Sequence, residues 1–182
     1  LDGQHRNAGY NDTRVFETAS TYKLFVAYGT LKRIESGQWH WSDQIQGGRD
    51  LTKCFDDMIV KSDNACAEAL LSKIGYATLT NEIHAIGLNS SSFVKSYIQS
   101  TPGDEATFLG ALQAGQLLSP SSTSTLISAM KRNIYRQGIP AGAKGTVADK
   151  VGFLNALLHD ASIVYSPSCT YVLAVMTDGS SW

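Results

Sequence analysis

Residues Phe16 to Ala27 read FETASTYKLFVA, and the reading turns on Ser20-Thr21-Tyr22-Lys23 within them, the pattern S-x-x-K. At helical pitch, positions i and i+3 share a face. A Ser at a helix N-terminus lies beside free backbone N–H groups and the positive end of the dipole. A Lys at i+3 that is taken out of water has a lowered pKa and accepts the hydroxyl proton. The pattern is thus a compact nucleophile-and-base unit. Taken alone it reads equally well as a capping Ser beside a snorkelling Lys.

The surroundings favour chemistry. A helix is predicted from near Ser20 through Ser36, stopping at Gly37. It is apolar on nearly every side up to Leu31, which places it in a protein interior. Upstream, Thr13 to Thr18 alternates weakly and predicts a short strand leading into a turn. Downstream, Gln38 to Arg49 reads as a polar, Trp-containing loop. Ser62-Asp63-Asn64 leads into a helix closed by Gly75, with Ser62 or Asp63 as its cap. A short helix fits Leu79 to Ile86, and the Ser-rich stretch Asn89 to Ser100 reads as loop. Thr101-Pro102-Gly103-Asp104 starts a helix that ends by Gly115, and Ser119-Pro120 starts another through Met130.

The character then changes. Gly138 to Gly145 is a Gly/Pro turn region, followed by strand-like runs at Val147 to Val151, Ala161 to Tyr165 and Tyr171 to Met176. The pattern predicts a single α+β (mixed α/β) domain over residues 1–182. Its helical lobe, roughly residues 20–135, packs on an antiparallel sheet drawn from both chain ends, residues 10–19 and 145–178.

Composition narrows the function. With 43% hydrophobic and 17% charged residues, the chain can bury a sizeable core. A formal charge of −1 and the lack of a Lys/Arg cluster argue against nucleic acid as a partner. The longest apolar runs, such as Tyr171 to Met176, are too short to span a membrane, and the polar start Leu1 to Tyr10 carries no signal-peptide pattern. Cys54, Cys66 and Cys169 form no CxxC pair; one disulfide is open to them without the spacing assigning it, and otherwise they are expected to be small buried hydrophobes. His5, His40, His84 and His159 show no ligand spacing, so no metal or other cofactor is expected.

Two further motifs follow S-x-x-K in order. Ser62-Asp63-Asn64 is S-D-N, and Lys150-Val151-Gly152, at the end of a strand-like run, is K-T-G with one residue changed. Each has a bland reading, a helix cap and a strand-ending turn. Together with S-x-x-K they are the signature of class A β-lactamases and penicillin-binding proteins. The chain resembles the class A β-lactamase branch of the penicillin-recognising serine enzymes over residues 12–178. The likeness includes FETASTYKLFVA, MIVKSDNACAEALL from Met58 to Leu71, STPGDEATFL from Ser100 to Leu109, and the strand region Val147 to Thr177.

This resemblance implies roles. Ser20 forms the acyl-enzyme, Lys23 is the acylation base, and Ser62 relays a proton to the leaving nitrogen. Asn64 binds the substrate's side-chain amide and Lys23. Lys150, Val151 and Gly152 form the carboxylate-binding strand. The N–H groups of Ser20 and Phe153 form the oxyanion hole. The implied partner is a small-molecule β-lactam or a peptidoglycan stem peptide, and the implied location is extracytoplasmic. The alternatives are a D,D-carboxypeptidase or transpeptidase, and a degenerate module that binds without turnover.

Three departures bear on activity. Asn89 to Gln99 contains no Glu or Asp where the family carries a deacylating Glu on an omega loop, and Glu105 lies out of register with that motif. Loss of such a base costs about 10²–10⁴-fold, so deacylation is expected to be slow. Val151 lacks the hydroxyl of the third motif, which weakens carboxylate binding by about 0.5–1.5 kcal/mol. The terminal helices that cover the sheet in the family have no counterpart in these residues; the expectation is a minimal member, a trimmed one, or a sheet face covered by a partner, since a bare face would be an exposed apolar patch.

Overall fold

The helix carrying the first motif is the centre of the molecule in the computed structural model, which describes residues 6–95 and 97–179. The chain start through His5, and its end from Ser180, lie outside the described residues. A 3₁₀ turn, Ala19–Tyr22, runs into helix α1, Lys23–Glu35. Leu24, Phe25, Val26, Ala27 and Leu31 are all fully buried, as an all-round apolar helix requires. Gly37 takes a left-handed φ of 72° and ends the run.

Around α1 pack α2 (Leu51–Val60), α3 (Asn64–Ile74), α4 (Tyr76–His84), α5 (Pro102–Gln113) and α6 (Pro120–Lys131). The polar residues before these helices supply the caps that were expected. Asp63 accepts from the Cys66 N–H, Thr101 from Asp104 and Ser119 from Ser122. Each such cap stabilises its helix by about 1 kcal/mol. Phe25 meets Phe93 and Phe108 edge to face, with centroids 6.1 and 5.1 Å apart. One turn of helix, α7 (Ile139–Gly142), sits inside the Gly/Pro region.

Strands β6 (Thr146–Leu154), β7 (Leu157–Tyr165) and β8 (Thr170–Thr177) form an antiparallel meander in that order. Helix α5 lies against β7 and β8, and α6 against β6. The α+β class and its antiparallel sheets are as expected, but among the described residues the strand from residues 10–19 joins a different sheet from the meander. Strand β1 is only Phe16–Glu17, because Thr18 already turns the chain into the 3₁₀ segment. It pairs with β5 (Tyr97–Ser100), which pairs with β4 (Ser92–Val94) in a separate sheet. His159 bridges from β7 to β1, its Nε2 lying 2.8 Å from the Glu17 carbonyl oxygen. On β8, Leu173 and Val175 remain about 40% exposed.

Three other expectations are corrected. Asn89 to Ser100 contains the β4–β5 hairpin rather than loop; its serines mask an alternation in which Phe93 is buried opposite Ile98. The polar loop Gln38 to Arg49 holds the start of a small two-stranded sheet, β2 (Gln44–Gln46) with β3 (Arg49–Asp50). Cys54 and Cys66 are not free thiols: they form a disulfide between α2 and α3, with Cα atoms 5.1 Å apart. Cys169 remains a free cysteine.

Candidate active site

The S-x-x-K unit forms because the chain turns before it helixes. Ala19 adopts φ +46°, an uncommon left-handed conformation for a residue with a Cβ. The turn is closed by the Thr21 N–H donating to the Thr18 carbonyl at 3.1 Å. It sets Ser20 one turn ahead of Lys23, and the Lys23 ammonium nitrogen lies 3.0 Å from Ser20 Oγ. Lys23 is fully buried.

The second motif reaches Lys23 from the link between α2 and α3. Ser62 also adopts a left-handed φ, +60°. Its neighbours hold it there: the Asp63 N–H donates to the Asp57 carbonyl at 3.0 Å, and the Arg49 guanidinium binds the Asp57 and Asp63 carboxylates. The Cys54–Cys66 disulfide ties the two helices on either side of this link. In consequence Lys23 donates to the Ser62 carbonyl at 2.6 Å, to Asn64 Oδ1 at 2.6 Å and to Ser62 Oγ at 3.1 Å.

The third motif arrives on β6. Lys150 is fully buried, and its Nζ donates to Ser62 Oγ at 2.9 Å and to the Val151 carbonyl at 3.0 Å. Gly152 passes so close to the nucleophile turn that a Cβ there would lie 2.8 Å from the Thr18 carbonyl oxygen and 3.0 Å from the Ser20 nitrogen. Only glycine fits this approach. Ser20, Lys23, Ser62, Asn64 and Lys150 therefore converge at hydrogen-bonding distance, although they come from three distant segments.

Electrostatics follow from burial. Loss of solvent drives the Lys23 ammonium down to about 8, against the smaller pull of Asp63 and Glu68. Burial, then the charge on Lys23, brings Lys150 down to about 7. Two ammonium groups that share one hydroxyl disfavour each other's charge.

A cleft of about 260 Å³ opens beside Ser20, lined among others by Asn64, Tyr22, Glu68, Tyr97 and Phe153. Phe153 is 43% exposed at its rim, whereas Val151 is fully buried and lends the cleft no polar atom.

A match to the Beta-lactamase enzyme family spans residues 1–181. The chain belongs to that family. Solved structures show the shared fold. A β-lactamase from Sphaerobacter thermophilus DSM 20745 is 20% identical with a TM-score of 0.88, over 93% of this chain and 77% of that one. The structure of PBP-A is 23% identical with a TM-score of 0.88, over 93% and 75%. A variant of the last common ancestor of Gram-negative bacteria β-lactamase class A is 25% identical with a TM-score of 0.89, over 100% and 83%. No curated protein sequence gives a match. Among the described residues of this β-lactamase-family chain, no helix is long and apolar enough to cross a membrane.

Sequence reasoning missed the walls of the cleft. Glu68 lies four residues after Asn64 on α3, a spacing that places both on one helix face and was open to inspection. Glu17, Lys95, Tyr97 and Ile98 enter only through the β1–β5–β4 pairing, which local sequence does not announce.

Proposed function

We propose that this chain is a single catalytic domain in which Ser20 attacks the carbonyl of a β-lactam or D-Ala-D-Ala-type amide and is acylated. The observation that carries this reading is Lys23: a buried amine 3.0 Å from Ser20 Oγ, with its pKa drawn down towards neutrality. Neutral Lys23 takes the Ser20 proton as the Oγ–C bond forms. The amide C–N bond then breaks, and Ser62, which lies between Lys23 and Lys150, passes a proton to the departing nitrogen. The charge of Lys150, relayed at Ser62, favours a substrate carboxylate, and Asn64 binds the substrate's side-chain amide. Backbone N–H groups of Ser20 and Phe153 form the oxyanion hole, where one donor contributes about 10²–10³ in rate.

Deacylation is slow in this reading. The β4–β5 segment brings no carboxylate to the cleft, and Lys23 bonds to Ser20, Ser62 and Asn64 rather than to an acid. Glu17 and Glu68 are among the residues lining the cleft, and neither carboxylate has a hydrogen bond to Ser20 or Lys23 among the described residues. One structurally similar protein, a PBP-A mutant, is described as an acyl-enzyme complex with penicillin-G. A D,D-carboxypeptidase or transpeptidase is the second reading, favoured by the same lack of a deacylating acid. The Cys54–Cys66 disulfide supports an extracytoplasmic location, where such bonds persist.

The test is incubation with benzylpenicillin, following intact mass and ring opening. A long-lived adduct on Ser20, absent in Ser20→Ala, is the expected result. Rapid ring opening without an adduct refutes slow deacylation. No reaction in either protein refutes the acyl-enzyme itself and leaves a module that only binds.

A further inference from the structure

Behind the nucleophile turn lies a carboxyl group with no place in the steps above. Glu105, in the first turn of α5, is 1% exposed. Its Oε1 lies 2.8 Å from Thr21 Oγ1, and its Oε2 has no partner among the described residues. Thr21 Oγ1 also lies 3.0 Å from the Thr18 carbonyl oxygen.

A proton count decides the arrangement. The Thr21 hydroxyl has one proton and two neighbouring oxygens. The Thr18 carbonyl can only accept. If Thr21 donates to it, the contact at 2.8 Å is a hydrogen bond only when Glu105 supplies the proton. If Glu105 were ionised, a buried charge would hold a single hydroxyl, with its second oxygen bare, and burial of that kind is strongly unfavourable. We propose that Glu105 is a positioning residue for the nucleophile: a carboxylic acid kept neutral, donating to Thr21 so that Thr21 clamps the Thr18 carbonyl beneath Ser20.

The clamp acts where the site is most demanding. The Thr18 carbonyl also accepts from the Thr21 N–H at 3.1 Å, and Gly152 of β6 packs against it. Between Thr18 and Ser20 the backbone passes through the left-handed Ala19. Fixing Thr18 therefore fixes the Ser20 nitrogen against β6 and aims Ser20 Oγ at Lys23. Glu105 touches none of the reacting atoms. Burial pushes its carboxyl up to about 7, Asp104 of its own helix raises it and Lys150 of β6 lowers it; a Thr21 hydroxyl turned to donate to the carboxylate would lower it, whereas a bond donated by the neutral acid adds to the rise.

The kinetic part of the test rests on the acyl-enzyme reading; the spectroscopic part does not. The wild type and Glu105→Gln are compared by infrared difference spectroscopy of the protonated carboxyl band from pH 5 to 9. A band present at pH 6, absent in Glu105→Gln and lost as pH rises through about 7 is expected. Acylation by saturating benzylpenicillin is then measured in the wild type, Glu105→Gln and Glu105→Ala. Gln keeps a donor for Thr21 and cannot ionise. The ratio of its rate to the wild-type rate is near one at pH 6 and climbs to about three- to tenfold at pH 9. An ionised Glu105 also favours the charge on Lys150, so part of any change in this ratio comes through Lys150; Glu105→Ala shares that part, and the Gln-to-Ala ratio isolates the donor. Glu105→Ala is slower than Glu105→Gln by about three- to tenfold at pH 6.

The proposal is overturned by an ionised Glu105 at pH 6, by a ratio that does not change with pH, or by an Ala variant as fast as the Gln variant. If the Ala variant fails to fold, the carboxyl band and the Gln ratio decide. If penicillin acylates no form, the acyl-enzyme reading falls, and an ionised Glu105 at pH 6 still overturns the clamp.

Discussion

Replacing Asn64 by Asp tests whether Lys23 is the base. Lys23 falls from 10.5 to about 8 in the folded protein. At pH 7 such an amine is neutral in about one molecule in ten, whereas an ordinary lysine is neutral in about one in 3,000. The buried site therefore contributes a few hundredfold in active base, or about 3 kcal/mol. Asn64 Oδ1 lies 2.6 Å from Lys23 Nζ, so an Asp there sets a carboxylate against the ammonium. An opposite charge at this range raises the lysine by about one to three units. The sign follows: the base form is the neutral one, present above the pKa, so raising the pKa withdraws it at neutral pH. Acylation by saturating penicillin should fall about 10- to 1,000-fold at pH 7 in Asn64→Asp and recover towards wild type by pH 10. Stopped-flow mass or fluorescence measurements across pH 6 to 10 give the ratio directly. A defect of constant size at every pH would show that Lys23 does not act as the base.

Other outcomes follow from the same geometry. Ser62→Ala removes the oxygen bonded by both Lys23 and Lys150, and acylation should fall about 10²–10⁴-fold, read by adduct formation, while main-chain acceptors preserve the fold. Gly152→Ala brings a Cβ against the Thr18 oxygen at 2.8 Å and the Ser20 nitrogen at 3.0 Å, both backbone atoms. The resulting shift should cost about 10²-fold in acylation, and an Ala variant with wild-type rate would contradict the close approach. The Cys54–Cys66 bond closes a loop with a sequence separation of 12, so the double Ala variant should lose about 3 kcal/mol in urea unfolding; a loss below about 1 kcal/mol would mean the bond contributes little.

The parts of this fold that sequence announces are those fixed by local chemistry. Asp63, Thr101 and Ser119 sit where their oxygens meet free N–H groups, and helices begin there. The buried face of α1 and the three β-branched runs near the chain end carry their own periodicity. The convergence of Ser20, Lys23, Ser62, Asn64 and Lys150 was legible only because three short motifs occur together in order. What stayed hidden depends on non-local pairing. The β4–β5 hairpin is short and serine-rich, and its identity rests on Phe93 reaching the core and on β5 accepting β1. The disulfide depends on α2 and α3 lying side by side, and no spacing rule encodes that. Glu105 reads as an ordinary first-turn acid of a helix, where negative charge is favourable. Only the burial of that turn beneath Thr21 reverses the expectation.

Under the proposed mechanism the two lysines make one device out of recognition and activation. Lys23 and Lys150 both bond to Ser62 Oγ, and the charge on Lys23 lowers Lys150. Such coupling is reciprocal, so a positive charge fixed on Lys150 must disfavour a proton on Lys23 by the same free energy. Under the proposed mechanism a substrate carboxylate fixes that charge when it binds. An anionic substrate thereby drives Lys23 towards its neutral, proton-accepting form at the moment the amide arrives beside Ser20. A lactam without the carboxylate loses both the attraction and this push. Its saturated acylation rate, and not only its apparent affinity, should therefore drop at pH 7, and the gap should close by pH 10, where Lys23 is neutral in any case. Equal saturated rates for the charged and uncharged lactams at pH 7 would show that Lys150 binds substrate without influencing the base.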